Sequence, residues 1–300
     1  MTARTPTCGS ITRTNFDRGI VASAACHVSW RRLSRQSRGQ HRRGFLVSDR
    51  SRIEWTDATW NPVTGCSKVS PGCAHCYAET LSLRFGWSAA PWTPANATQN
   101  VVLHPERLDQ PLRWRRPRRV FVNSMSDLFH ELVPDPYIYA VFDRMAEAGL
   151  HTYQVLTKRP DRMARVVTAY YAQTGREPLP NVWLGTSIEN DRWSGRAEPL
   201  RATPAAIRFV SAEPLLGPLT SLDLGDVDWL IVGGESGARA RPMDAAWVQG
   251  LRDRATAAGV AFFFKQWGGR TPRARGRLLD GRTWDEYPGG HETERSRRVA

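Results

Sequence analysis

The chain has 300 residues, 41% of them hydrophobic, with a formal net charge of +13. That length suffices for one large or two ordinary domains with a real core, and the lack of any run of eighteen apolar residues excludes a membrane-spanning helix. The charge would suit a nucleic-acid partner, but +8 falls in residues 1–46 and +3 in residues 270–300, leaving only +2 for residues 47–269.

Residues 1–46 carry nine Arg, no Lys and one acidic residue, with no sustained hydrophobic period. They read as a disordered Arg-rich extension or as a misassigned start upstream of Val47-Ser48-Asp49. An Arg-rich, acid-poor targeting peptide is a third reading, and Ile20–Cys26 is too short an apolar run for a signal peptide. Ordered chain is expected from about Arg52; Trp55 and Trp60 flank Thr/Asp turn formers, and a short strand then delivers the chain to Gly65. Then comes Cys66-Ser67-Lys68-Val69-Ser70-Pro71-Gly72-Cys73-Ala74-His75-Cys76, a C-x6-C-x2-C pattern holding three of the five cysteines. A helix over Ala78–Phe85, stopped by Gly86, and a polar loop over 88–100 follow.

Beyond that, short apolar runs alternate with helical periods. Strands are expected at Val120–Asn123, Thr152–Leu156, Val182–Gly185, Ile207–Val210, Trp229–Val232 and Val260–Phe264. Ile138, Val141, Phe142 and Met145 mark a helix after Pro134 and Pro136. Met163, Val166 and Val167 mark another over Asp161–Gln173. Trp247, Val248 and Leu251 mark a third over Asp244–Ala258, and Pro199 keeps any helix around it short. Repeated strand–helix units imply a mostly parallel sheet, and about seven strands suit a partial or full (β/α) barrel over residues 47–269. Residues 270–300 are expected as a C-terminal extension, with a hairpin or lid at 280–288 and a loose end from Arg295.

Polar side chains fall just after each apolar run, where parallel barrels build their sites. They include Asn123–Asp127, Thr157-Lys158-Arg159, Thr186–Asn190, Ser211-Ala212-Glu213, Gly233–Ser236 and Lys265-Gln266-Trp267. Carboxylates at Asp127, Glu189, Glu213 and Glu235 can accept from an ammonium or from hydroxyls, and Lys158, Arg159 and Lys265 can pair with a carboxylate. Gly233-Gly234 allows close approach of backbone to a ligand. The same Lys and Glu residues could instead simply pair with one another. Three thiolates on one loop are a ligand set for an Fe–S cluster or zinc. Three ligands with an open position suit a [4Fe–4S] cluster with one free iron, whereas structural zinc closes with four. Clustered thiols without a disulfide-like pattern fit a reducing cytoplasm.

The cysteine loop after a first strand, Tyr77 directly after the last Cys and the barrel that follows resemble the radical S-adenosylmethionine enzymes. The gap of six residues departs from the commoner C-x3-C-x2-C spacing. Ser124-Met125-Ser126-Asp127 also stands where a Gly-Gly-Glu motif is usual. A closer resemblance covers residues 53–287. It rests on Ile53–Thr56, Trp60-Asn61-Pro62, Asn123–Phe129, Leu156–Pro160, Ser211–Gly217, Gly233–Ser236 and Phe264–Gly269. These phrases are similar to the phage-type three-Cys-motif proteins, bacterial and bacteriophage proteins regarded as radical-SAM-like. The resemblance implies that Cys66, Cys73 and Cys76 hold a [4Fe–4S] cluster whose free iron binds S-adenosylmethionine, giving a 5′-deoxyadenosyl radical. By position, Ser124, Ser126 and Asp127 would meet its amino group, and Ser187 and Glu189 its ribose, with Gly233 and Gly234 also on the cofactor side. Glu213, Glu235, Lys158 and Lys265 would line the substrate side. An electron donor such as flavodoxin or ferredoxin is implied as a partner.

Two further functions are open to the same residues. A non-catalytic zinc module for nucleic acid would use the three Cys with His75, and a metal-assisted hydrolase would use the rim carboxylates. The second lacks a clustered His set, with His75, His104, His130 and His151 scattered along the core. Trp183, Trp193, Trp229 and Trp267 could stack bases of a nucleic-acid substrate or simply pack, and packing suits Trp229 better.

Overall fold

Seven short parallel strands curl into a half-barrel. The computed structural model describes residues 51–290, so the Arg-rich segment 1–46 and the end from Arg295 lie outside the described residues. In chain order the elements are β1 (Ala58–Trp60), β2 (Val63–Thr64), α1 (Tyr77–Arg84), α2 (Ala97–Asn100), β3 (Val102–Leu103), β4 (Arg119–Val122), α3 (Asp135–Glu147) and β5 (Thr152–Thr157). There follow α4 (Pro160–Thr174), β6 (Val182–Ser187), α5 (Ala197–Ala202), β7 (Ile207–Ala212), β8 (Trp229–Gly233), α6 (Ala245–Ala257) and β9 (Ala261–Gln266). The sheet runs β1-β4-β5-β6-β7-β8-β9, every pair parallel. The fold is therefore the partial (β/α) barrel expected from the alternation of strand and helix.

Both faces of the sheet are covered, which explains the nearly continuous apolar strands. One face buries Val122, Val155, Leu184, Val210, Leu230 and Phe264. The helices bury Ile138, Val141, Phe142 and Met145 of α3, Met163, Val166 and Val167 of α4, and Val248 and Leu251 of α6. On the other face Phe121, Trp183, Phe209, Trp229, Ile231 and Phe263 form one cluster with Trp55 and Tyr287. Trp229 takes edge contacts from Trp183 and Phe263 at centroid distances of 5.7 and 6.0 Å. Trp183 and Trp229 are thus core residues and offer no face to a base. Trp193 lies under Arg196, and Trp267 packs on Phe264.

The first strand is short, as expected, at three residues, and Ile53–Thr56 turns before it with Thr56 N–H donating to the Ile53 carbonyl. Several local expectations change. Pro136 lies inside the first turn of α3 and not ahead of it; there its missing N–H removes no helix bond. Segment 88–100 is not plain loop: it contains α2 and leads to β3, which pairs antiparallel with β2. A two-residue strand has no readable period, which is why neither β2 nor β3 stands out in the sequence.

The C-terminal segment seals the open side of the half-barrel. The backbone of 284–286 bonds to Phe262 and Phe264 of edge strand β9, and Tyr287 stacks on Trp229 at 5.0 Å. The Arg119 guanidinium covers the same Tyr287 ring at 4.5 Å. Residues 280–288 form an edge seal at the floor of the barrel, not a lid over the strand ends.

Candidate functional site

The chain enters the cysteine loop through Gly65, whose φ of +81° and packing exclude any side chain: a Cβ there would lie 1.8 Å from the Asn100 carbonyl oxygen. Gly65 N–H donates to the Met125 carbonyl at 3.0 Å, tying the loop to the turn after β4. That turn begins at Asn123, a left-handed residue (φ 61°) whose Oδ1 accepts from Val63 N–H. A short helical turn over Pro71–Cys73 then leads to Cys76, which precedes α1.

Cys66, Cys73 and Cys76 are free, partly buried, and line one cavity of about 250 Å³ at the C-terminal ends of the strands. No three His, Cys, Asp or Glu side chains among the described residues are arranged to hold a single metal ion. The three thiols share the lining of this one cavity. Burial pushes the Cys66 thiol up to about 12; Asp127 adds to the rise and Arg159 opposes it. Burial also raises Cys76. Such thiols are protonated at neutral pH, and a bound metal would have to displace the protons.

Arg159 is the hub behind the loop. It is buried and donates to Asp127 Oδ2 at 3.1 Å, Glu131 Oε1 at 2.8 Å, Ser67 Oγ at 3.1 Å, the Ser67 carbonyl at 3.2 Å and Cys66 Sγ at 3.6 Å. His130 supports the same point. Its Nδ1 accepts from Leu132 N–H, so its Nε2 carries the proton and donates to Ser67 Oγ at 2.9 Å. His104 and His151 are buried in other bonds, and His75 lines the cavity.

Ser124, Ser126, Asp127, Ser187, Lys158, Glu213, Gly234, Glu235 and Lys265 also line the cavity, so most of the expected rim converges. Two expected cofactor residues do not. Glu189 is fully buried behind the cysteine loop, where it accepts from Ser70 Oγ at 2.5 Å and Arg196 Nη1 at 3.0 Å. Its Oε1 would lie 2.4 Å from a Cβ at Gly72, so the loop packs directly on it. It braces the loop from behind and does not itself line the cavity. Gly233 lies beneath Glu213, whose Oε1 fills the space a Cβ would take.

Asp127 is also more committed than its position suggests. It accepts from Thr157 Oγ1 at 2.7 Å, Lys158 N–H at 3.1 Å, Phe129 N–H at 3.0 Å and Arg159. Glu213 pairs with Lys265 Nζ at 2.8 Å and accepts from Trp55 Nε1 at 3.3 Å and Ser211 Oγ at 3.2 Å. Lys158 Nζ stands 3.7 Å from Glu189. The rim Lys and Glu do pair with one another, within a cavity that keeps them beside the thiols.

Residues 50–288 match the family described as "Protein of unknown function (DUF5131)". The chain belongs to this family. No curated protein and no solved structure matches the chain. The match spans the half-barrel, the cysteine loop and the edge seal as one unit, including the rim residues from the loop to Lys265. No helix among the described residues is long and apolar enough to cross a membrane.

Arg241, Arg196 and the role of His75 are not legible in the sequence. Arg241 grips Glu235 through Nε at 2.9 Å, Nη2 at 2.5 Å and its own N–H at 2.9 Å. His75 Nδ1 lies 3.0 Å from the same carboxylate. Burial acts against the Glu235 charge, but donation from Arg241 and His75 outweighs it and holds the carboxyl at about 2. No pattern marks these arginines, since each is identified only by its distant partner.

The depressed Glu235 carboxyl stabilises the fold above its ordinary value near 4.5, and that stability is lost as pH falls through about 2. Glu235→Gln should therefore cost on the order of 1–3 kcal/mol at pH 7. The gap to the wild type should close between about pH 4.5 and 2, as read by thermal melting across that range. A gap independent of pH would show that the charge of Glu235 does not tie its loop to the cysteine loop.

Proposed function

We propose that the protein is a radical S-adenosylmethionine enzyme in which Cys66, Cys73 and Cys76 hold a [4Fe–4S] cluster. The observation that carries this reading is the placement of three free thiols on one wall of a cavity at the C-terminal ends of a parallel half-barrel. Three thiolates that leave one position open suit a [4Fe–4S] cluster, whereas structural zinc closes with four ligands. His75, the nearest candidate for a fourth zinc ligand, is engaged with Glu235. When bound, the cluster supplies the electron for reductive cleavage of S-adenosylmethionine.

The chain's own residues orient and shield. Ser124, Ser126, Ser187 and Gly234 offer small polar or backbone groups to the cofactor, and Asp127 holds the turn that carries the two serines. Glu213 with Lys265, and Glu235 with Arg241, present fixed charges on the substrate side. Trp55, Phe121 and Leu156 close the floor with apolar surface and exclude water from a reactive site.

The test is iron, sulfide and zinc analysis after anaerobic reconstitution, beside the Cys66→Ala, Cys73→Ala, Cys76→Ala triple variant. About four iron and four sulfide per chain are expected, lost in the variant. Reductant-dependent release of 5′-deoxyadenosine from S-adenosylmethionine should follow. One zinc and no iron would overturn the reading in favour of a zinc module.

A further inference from the structure

Charge that the sequence assigns to a C-terminal extension is folded onto the mouth of the cavity. Loop 267–277 follows β9, and its Gly269 exchanges backbone bonds with the loop after β8: Gly269 N–H donates to the Glu235 carbonyl, and Gly237 N–H to the Gly269 carbonyl, both at 2.9 Å. The same loop closes on itself through Trp267 N–H to the Gly276 carbonyl at 3.0 Å. Loops 234–243 and 267–277 therefore form one braced rim, and Gly234, Glu235 and Ser236 of that rim also line the cavity.

Together the two loops hold six Arg and a single carboxylate, Glu235. Arg241 is taken by Glu235, Arg277 by Asp285 and Arg273 by Glu54. Arg239, Arg270 and Arg275 are exposed and make no ion pair among the described residues. The Arg275 stem rests against Gly269, where a Cβ would meet its Cγ at 3.6 Å. None of the three lines the cavity.

We propose that this rim docks the phosphate backbone of a single-stranded nucleic acid, with Arg239, Arg270 and Arg275 as the phosphate contacts and one nucleotide directed into the cavity. Guanidinium forks match phosphate oxygens, and several unpaired arginines along one rim beside a cavity match the repeated anions of a nucleotide polymer better than a lone phosphate. Tyr77, half exposed on the cavity wall, offers a ring for stacking. A lipid surface is the weaker match, because Thr271, Pro272, Ala274 and Gly276 between the arginines supply no large apolar side chain. The proposal names a substrate class for the site read above and rests on that reading only for the chemistry inside the cavity.

The test uses the full chain without added iron, sulfide or S-adenosylmethionine, and a 5-iodouridine-substituted single-stranded RNA of about 20 nucleotides. Binding is read by anisotropy across a salt series, and photo-crosslinks are mapped by mass spectrometry. In the Arg239→Ala, Arg270→Ala, Arg275→Ala variant, binding should weaken about tenfold or more, and the slope of log K against log salt should fall by roughly 2. The corresponding triple Lys variant should keep the wild-type slope. Crosslinks should fall on peptides carrying Tyr77 or the rim loops 234–243 and 267–277. Unchanged binding by the Ala variant, or crosslinks confined to residues 1–46, would overturn the proposal. So would binding to phosphatidylserine vesicles that depends on these arginines while RNA binding does not. A chain that binds the strand but assembles no cluster would fail the cofactor reading and leave this one standing.

Discussion

Arg159→Ala lowers stability by about 3–5 kcal/mol, the cost of leaving the buried Asp127 carboxylate without its cation. For a domain of this size that corresponds to a fall of roughly 6–20 °C in the thermal midpoint, measured by calorimetry or circular dichroism. The effect is large because Arg159 serves five acceptors at once, two of them on Ser67 and one on Cys66. Iron loading should fall with stability, although all three cysteines remain. Arg159→Lys should recover part of the stability, since it restores a charge beside Asp127 but not the fork that also reaches Ser67. A midpoint within a degree or two of the wild type in Arg159→Ala would show that the buried pair does not support the cysteine loop.

Glu189→Ala gives the second large loss, again about 3–5 kcal/mol, because the buried Arg196 guanidinium loses its carboxylate. Burial already presses the Arg196 pKa down, and Glu189 is the strongest opposing influence. The functional consequence is sharper than the thermal one. Ser70 would lose its acceptor, and the support under Gly72 would vanish, one residue before Cys73. Iron per chain after reconstitution should drop several-fold at temperatures where the variant remains folded. Gly72→Ala approaches the same contact from the other side, since its Cβ would meet Glu189 Oε1 at 2.4 Å, and should also lose iron. If Glu189→Ala loads iron as the wild type does and instead shows a weakened affinity for S-adenosylmethionine, Glu189 contacts the cofactor and the bracing role is wrong.

What could be read along the chain was whatever depends on near neighbours. The helical periods of α3, α4 and α6 and the apolar runs of β4 to β9 follow from local spacing, and their alternation implies a parallel sheet. The polar residues after each run could be assigned to one rim because parallel strands all end on the same side. Cys66, Cys73 and Cys76 meet at that rim because eleven residues of chain keep them close.

The role of each rim residue was a different matter. Glu189 and Glu213 follow consecutive strands, β6 and β7, in similar local sequence, yet one is buried beneath the loop and the other faces the cavity. The difference lies in partners far along the chain: Ser70 is 119 residues from Glu189, and Trp55 is 158 residues from Glu213. Charge behaves the same way. Residues 270–277 look like the start of a basic tail until the backbone bonds of Gly269 carry them to the cavity mouth. Periodicity and covalent proximity thus determine the scaffold and the cysteine cluster, since both act over a few residues. Which carboxylate braces, which faces a ligand, and where the arginines stand depend on side chains brought together only when the half-barrel closes.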